Sequence, residues 1–89
     1  MPETKLTAIV PNQKGLHARA AAQIVSLSSE FRCEIIIAHG DKQASSLSLI
    51  KLLTLDAPQG SELTVISEGA DSKQAVHSII QLILKGFGE

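Results

Sequence analysis

Apolar residues in this chain switch repeatedly between two spacings, first every second residue and then every third or fourth. The first spacing buries one face of a strand, and the second buries one side of a helix. In Lys5–Val10, Leu6, Ala8 and Val10 share one face, while Lys5, Thr7 and Ile9 share the other. Pro11-Asn12-Gln13-Lys14-Gly15 breaks that strand. From about Ala18 to Ser29 the spacing becomes helical, with Ala21, Ile24, Val25 and Ser28 on one side. Phe31–Ala38 is rich in β-branched residues and reads as a second strand, with Cys33, Ile35 and Ile37 on one face. His39-Gly40-Asp41 is a tight turn, and Lys42–Ser45 is the short return strand.

Ser46–Leu55 reads as a short helix that Ser46 or Ser48 is suited to cap. Leu47, Leu49, Ile50, Leu52, Leu53 and Leu55 occupy nearly its whole circumference. Most are expected in the core, with Leu49, Ile50 and Leu53 left to face a partner. After the loop Asp56–Gly60, Ser61–Ser67 is a fourth strand that alternates Leu63 and Val65 with Thr64 and Ile66. Asp71 or Ser72 caps a last helix that runs to about Lys85. Its stripe is Ala75, Val76, Ile79, Ile80 and Ile83, and Gly86 and Gly88 end it. The order β-α-β-β-α-β-α predicts an α+β open-faced sandwich with helices covering one face of the sheet. At 89 residues, the chain 1–89 is expected to form one small domain.

Composition narrows the function classes. Apolar residues make up 44%, enough for an aliphatic core without metals or disulfides. Cys33 is the single cysteine and has no partner for an internal disulfide, so a reducing cytoplasm is the expected setting. Cys33 itself reads as a small apolar strand residue. No stretch approaches the roughly 18 apolar residues of a membrane span. A net charge of −1, with two Phe and no Trp or Tyr, argues against nucleic acid as a partner.

The chemistry concentrates in Gly15-Leu16-His17-Ala18-Arg19-Ala20-Ala21. His17 sits where a loop becomes a helix. A helix N-terminus presents unpaired N–H groups and partial positive charge, which suit a phosphate. A histidine there can carry a phosphoryl group on a ring nitrogen. The main-chain N–H groups of Ala18 and Arg19, with the Arg19 guanidinium, are placed to hold its oxygens. The plainer alternatives are a loop histidine without chemistry and a solvated arginine. His39 reads as a turn residue and His77 as an ordinary helix residue, with no catalytic role expected for either. No metal or other cofactor is expected on the chain.

These residues resemble the histidine-containing phosphocarrier family of the bacterial phosphotransferase system, HPr and its nitrogen-branch relative NPr. The likeness runs from Pro11-Asn12 and Gly15-Leu16-His17-Ala18-Arg19 through Ser48–Leu55 and Gln59-Gly60 to the last helix. It implies a four-stranded antiparallel sheet backed by three helices. It also implies that His17 takes a phosphoryl group on Nδ1 from phospho-enzyme I, which draws on phosphoenolpyruvate, and passes it to an enzyme IIA-type protein. Arg19 matches the arginine that assists the phosphohistidine. Ser48 matches a serine that HPr kinase/phosphorylase modifies in some branches, although a plain helix cap accounts for it equally. Leu49, Ile50 and Lys51 match the patch where such carriers meet their partners, Leu53 and Ala22 are also expected to face a partner, and a monomer is expected. Ala20 replaces the family's proline. Ser26 and Ser29 stand where sugar-branch carriers often have lysines, and the ending Gly86-Phe87-Gly88-Glu89 is similar to the nitrogen branch. A regulatory branch is therefore favoured over sugar transport. The competing function is a regulatory binding module of the same fold without the relay.

Overall fold

The computed structural model describes residues 3–89. The first alternating segment forms β1, Glu3–Ile9, and Val10 just beyond it is fully buried and donates its N–H to Ser61 O at 2.8 Å. Next come α1 (Ala18–Ser28), β2 (Ile35–His39), β3 (Lys42–Ser45), α2 (Leu49–Leu53), β4 (Glu62–Glu68) and α3 (Ser72–Leu84). The order read from the sequence holds, and a short 3-10 turn at Gly86–Gly88 follows α3.

The sheet order is β1-β4-β2-β3, and each neighbouring pair is antiparallel. Leu6 lies opposite Val65, and Val65 opposite Ile37, so one apolar row crosses three strands. The helices cover this face, and Ile24 of α1 with Val76, Ile79 and Ile83 of α3 is fully buried against it. Each such side chain contributes roughly 1.5–3 kcal/mol on leaving water. The opposite face carries the row Lys5, Ile66, Ile36 and Ser45 and stays partly open.

α3 fixes the position of the chain's last residues. Near its start, Ser72 Oγ lies 3.1 Å from Thr4 Oγ1 of β1. Beyond its end, Gly86 lies against Asn12 and Pro11. α3 therefore runs in the same direction as β1. Its 13 residues span roughly 20 Å, and Thr4 to Pro11 in extended chain spans about 23 Å. This match of lengths brings Gly86–Glu89 onto the loop that follows β1.

Three readings from the sequence change. β2 starts at Ile35 rather than Phe31, because its ladder to β4 runs out where Ile35 pairs with Ser67, next to the end of β4 at Glu68. Phe31 instead closes a turn onto Ser28 O, and Phe31 and Cys33 pack on the core from a loop. α2 is shorter than Ser46–Leu55, because Ser46 is buried and still donates to Ile35 O of β2 at 2.9 Å. Its apolar residues are mostly outside the core: Leu52 and Leu55 are buried, whereas Leu47, Leu49, Ile50 and Leu53 are exposed. Five residues make little more than one turn, too short to bury more than one side.

Candidate functional site

Gly15 sets the site's backbone. Its φ of +64° lies in the left-handed region, and a Cβ there would fall 2.5 Å from Ala57 O and 2.8 Å from Pro58 Cα. Only glycine permits this approach, and Leu16 then donates its N–H to Ala57 O at 2.9 Å. The loop after α2 is thereby fastened to the loop before α1. His17 follows as the N-cap of α1 in extended conformation, and its carbonyl accepts the Ala21 N–H at 2.9 Å. The amides of Ala18, Arg19 and Ala20 precede that first helical bond and have no acceptor within the helix. Amides at such a position carry the positive end of the helix dipole.

The His17 ring lies between two acceptors. Nδ1 is 3.1 Å from Gly15 O, an oxygen that also accepts the His17 N–H at 3.0 Å and Asn12 Nδ2 at 2.9 Å. Nε2 lies 2.6 Å from Glu89 Oε2 and is closed to solvent. No well-aligned hydrogen bond forms at Nε2, so the contact is one of charge and proximity. Arg19 meets the same carboxylate oxygen through Nη2 at 3.4 Å, with its side chain 68% exposed. The other carboxylate oxygen accepts Asn12 Nδ2 at 3.1 Å. Desolvation acts to raise the Glu89 carboxyl. The Asn12 amide, the Arg19 hydrogen bond and the charges of His17 and Arg19 outweigh it and hold the group below the ordinary value of 4.5. A groove of about 470 Å³ opens beside this cluster, lined by Pro11, Asn12, Gln13, Lys14, Arg19 and Glu89.

Glu89 and Asn12 are the site residues that sequence reasoning missed. Glu89 lies 70 positions from Arg19 in sequence, and no local pattern joins them. The usable signal was the matched length of β1 and α3. Asn12 sits in a quoted motif, but its role depends on being 7% exposed with its amide aimed inward. The predicted partner-facing residues Ala22, Leu49, Ile50, Lys51 and Leu53 are all exposed, on two helices that pack together. Leu47, expected in the core, joins them at 55% exposure. Ser48 caps α2, its Oγ accepting the Lys51 N–H at 3.3 Å. His39 Nδ1 donates to Leu55 O and His77 Nδ1 to Lys73 O, each at 2.8 Å. Among the described residues no cluster of His, Cys, Asp and Glu is grouped to hold a metal ion. None of their helices is long and apolar enough to cross a membrane.

An open antiparallel sheet, helices on one face and a histidine at the head of the first helix define a phosphocarrier-type open-faced β-sandwich. Residues 4–85 match the family described as the PTS HPr component phosphorylation site, and the chain belongs to that HPr phosphocarrier family of the phosphotransferase system. The phosphocarrier protein NPr of Shewanella violacea is 41% identical over 78 residues, covering 88% of this chain and 86% of that protein. A second relative is the phosphoryl donor subunit DhaM of a PEP-dependent dihydroxyacetone kinase from Providencia stuartii. It is 36% identical over 81 residues, covering 91% of this chain, which spans only 17% of that subunit. The crystal structure of HPr-C-His from Thermoanaerobacter tengcongensis superposes with a TM-score of 0.91 at 31% identity, covering 97% of each chain.

Proposed function

We propose that this chain accepts a phosphoryl group on His17 from phospho-enzyme I and passes it to an enzyme IIA-type protein. The observation that carries the reading is the seat at the head of α1: a partly exposed imidazole at the N-cap beside first-turn amides with no helical acceptor. Transfer of this kind needs positioning and electrostatics more than covalent machinery. Ala18 and Arg19 bind the incoming oxygens through their amides. The Arg19 side chain, now on Glu89, is long and exposed enough to turn to a phosphoryl group. The exposed patch Leu47, Leu49, Ile50, Lys51 and Leu53, with Ala22 on α1, docks enzyme I and the acceptor in turn. Ser48, at the edge of that patch, is the site on which an HPr kinase/phosphorylase would act. A regulatory, nitrogen-type branch is supported by the NPr relative and by the exposed Ser26 on α1 and Ser29 just beyond its end. The protein works as a cytoplasmic monomer.

The test is intact mass after incubation with phosphoenolpyruvate, Mg²⁺ and enzyme I. The expected result is one acid-labile phosphoryl group, absent in His17→Ala. Uptake that persists in His17→Ala would overturn the assignment.

A further inference from the structure

We propose that His39, at the end of β2, is a positioning residue for phosphoryl uptake: its ring holds the turn that presents Ala57 O to the loop carrying His17. The inference rests on His17 being the acceptor, and it ties that residue to a different part of the fold. His39 is fixed by its strand, where it pairs with Lys42 across the turn at Gly40. It shares a face with the buried Ile35 and Ile37, so its ring lies on the helix-covered side of the sheet. There Nδ1 meets Leu55 O, just beyond the end of α2, at 2.8 Å. A carbonyl only accepts, so the ring proton at this contact belongs on Nδ1. Among the described residues no main-chain N–H bonds Leu55 O, and Leu55 is fully buried. Loss of the ring would leave a buried carbonyl without its donor, which is costly.

The bond matters through the peptide plane it holds. Leu55 C=O and Asp56 N–H are the two ends of one planar group. The N–H end has only a long bond, 3.3 Å to Leu53 O, so the His39 contact is the firmer of the two. Asp56 follows with φ of +49°, in the left-handed region that a residue with a side chain enters at a cost. Rotation of the Leu55–Asp56 plane would let Asp56 leave that region, and His39 opposes the rotation. The chain beyond is stiff. Ala57 precedes Pro58 and is biased to extended conformations, and the proline ring fixes the next φ. The direction set at Asp56 therefore carries through to Ala57 O. That oxygen accepts the Leu16 N–H at 2.9 Å and lies 2.5 Å from where a Cβ on Gly15 would stand. One residue further on is His17.

His39 makes and breaks no bond to phosphorus. It acts on where the His17 ring and the first amides of α1 stand when a donor arrives. Reaction rates are sensitive to such placement, and an error of about 1 Å can slow a step roughly a hundredfold.

The experiment compares wild type with His39→Asn, which keeps an N–H donor near the Nδ1 position, and His39→Leu, which removes it at similar size. Ring ¹H–¹⁵N correlations of wild type above about pH 8 should place the His39 proton on Nδ1. The NMR coupling across the hydrogen bond from Leu16 N–H to the Ala57 carbonyl should be at least about halved in His39→Leu, where the strained turn is free to relax. It should persist in His39→Asn. Uptake from phosphoramidate, a small donor that needs no docking, should fall with it, at least about twofold in His39→Leu, and recover in His39→Asn. Uptake from phospho-enzyme I should fall by the same factor. A His39 proton on Nε2 alone overturns the bond. Lower stability in urea with the coupling intact reduces His39 to a stabilising residue and overturns positioning. A fall with enzyme I alone places its effect on the exposed α2 patch and overturns action on the His17 loop. A wild-type chain that takes up no phosphoryl group overturns the acceptor reading, while the coupling, which needs no donor, still decides whether His39 holds the loop.

Discussion

At the scale of single residues, the site depends on one glycine and one carboxylate. Gly15→Ala would force a Cβ into Ala57 O at 2.5 Å while holding a left-handed φ. The left-handed conformation alone costs roughly 1–2 kcal/mol for a residue with a side chain, and the backbone clash adds to it. Urea unfolding should show a loss of at least about 2 kcal/mol, placed among the severe single substitutions by its backbone mechanism. Phosphoryl uptake should fall as well, since His17 takes its position from Gly15. Glu89 sets a pH dependence whose sign follows from its lowered pKa. Its contacts with Asn12, Arg19 and His17 are fully present above the ordinary 4.5 and are lost as pH falls through the depressed value. A ¹³C titration of the Glu89 carboxyl should have its midpoint below 4.5, and Asn12→Ala or Arg19→Ala should move it up. A wild-type midpoint at or above 4.5 would refute the pairing. His17 and Arg19 were legible from their types and spacing. Glu89 was not, because nothing within several residues of it marks the contact.

At the scale of elements, periodicity read the long segments well and the short ones poorly. Ala75, Val76, Ile79, Ile80 and Ile83 of α3 are all buried, as their stripe predicts. A helix of 13 residues shows its buried side over several turns, whereas α2 has five residues and no comparable pattern. Leu49, Ile50 and Leu53 face outward and Leu52 and Leu55 are buried, as expected, but Leu47, assigned to the core, is exposed. The start of α2 was legible, because serine before an apolar run has a mechanism as a cap. Ser48→Ala removes the Oγ that accepts the Lys51 N–H at 3.3 Å. At that length the bond is weak, so the loss should lie near the lower end of the usual range, about 0.5–1 kcal/mol. Ser48→Asp retains an acceptor and places negative charge at the helix start, where it is favourable. Asp should therefore unfold at a urea midpoint at or above that of Ala. The reverse order would show that Ser48 does not cap α2 in solution. Any slowing of enzyme I coupling in Ser48→Asp would then report on docking rather than on stability.

At the scale of the whole molecule, the sheet and the site are joined through the chain's last turn. The strand order β1-β4-β2-β3 was not legible, because spacing within a segment carries no information about its neighbours. That order puts β1 at an edge with α3 across it, and α3 carries Phe87 into the core and Glu89 onto His17. Phe87→Ala tests this coupling. The substitution empties a site that is 97% enclosed, given an exposure of 3%, and truncation of a buried Phe costs about 3–5 kcal/mol. Urea unfolding should therefore show a loss of at least about 3 kcal/mol. The strained left-handed φ of Phe87, 57°, also loses the packing that fixes it. The Gly86–Glu89 turn should then open while β1, β4 and α3 stay paired. Amide exchange should quicken at Gly88 and Glu89, whose N–H groups bond Lys85 O and Gly86 O, and remain slow along β4. The Glu89 carboxyl should titrate closer to 4.5 than in wild type, and the Nε2 side of His17 should become reachable. If Phe87→Ala destabilises the fold but leaves the Glu89 titration unchanged, then Asn12 and Arg19 hold the carboxylate without help from the core.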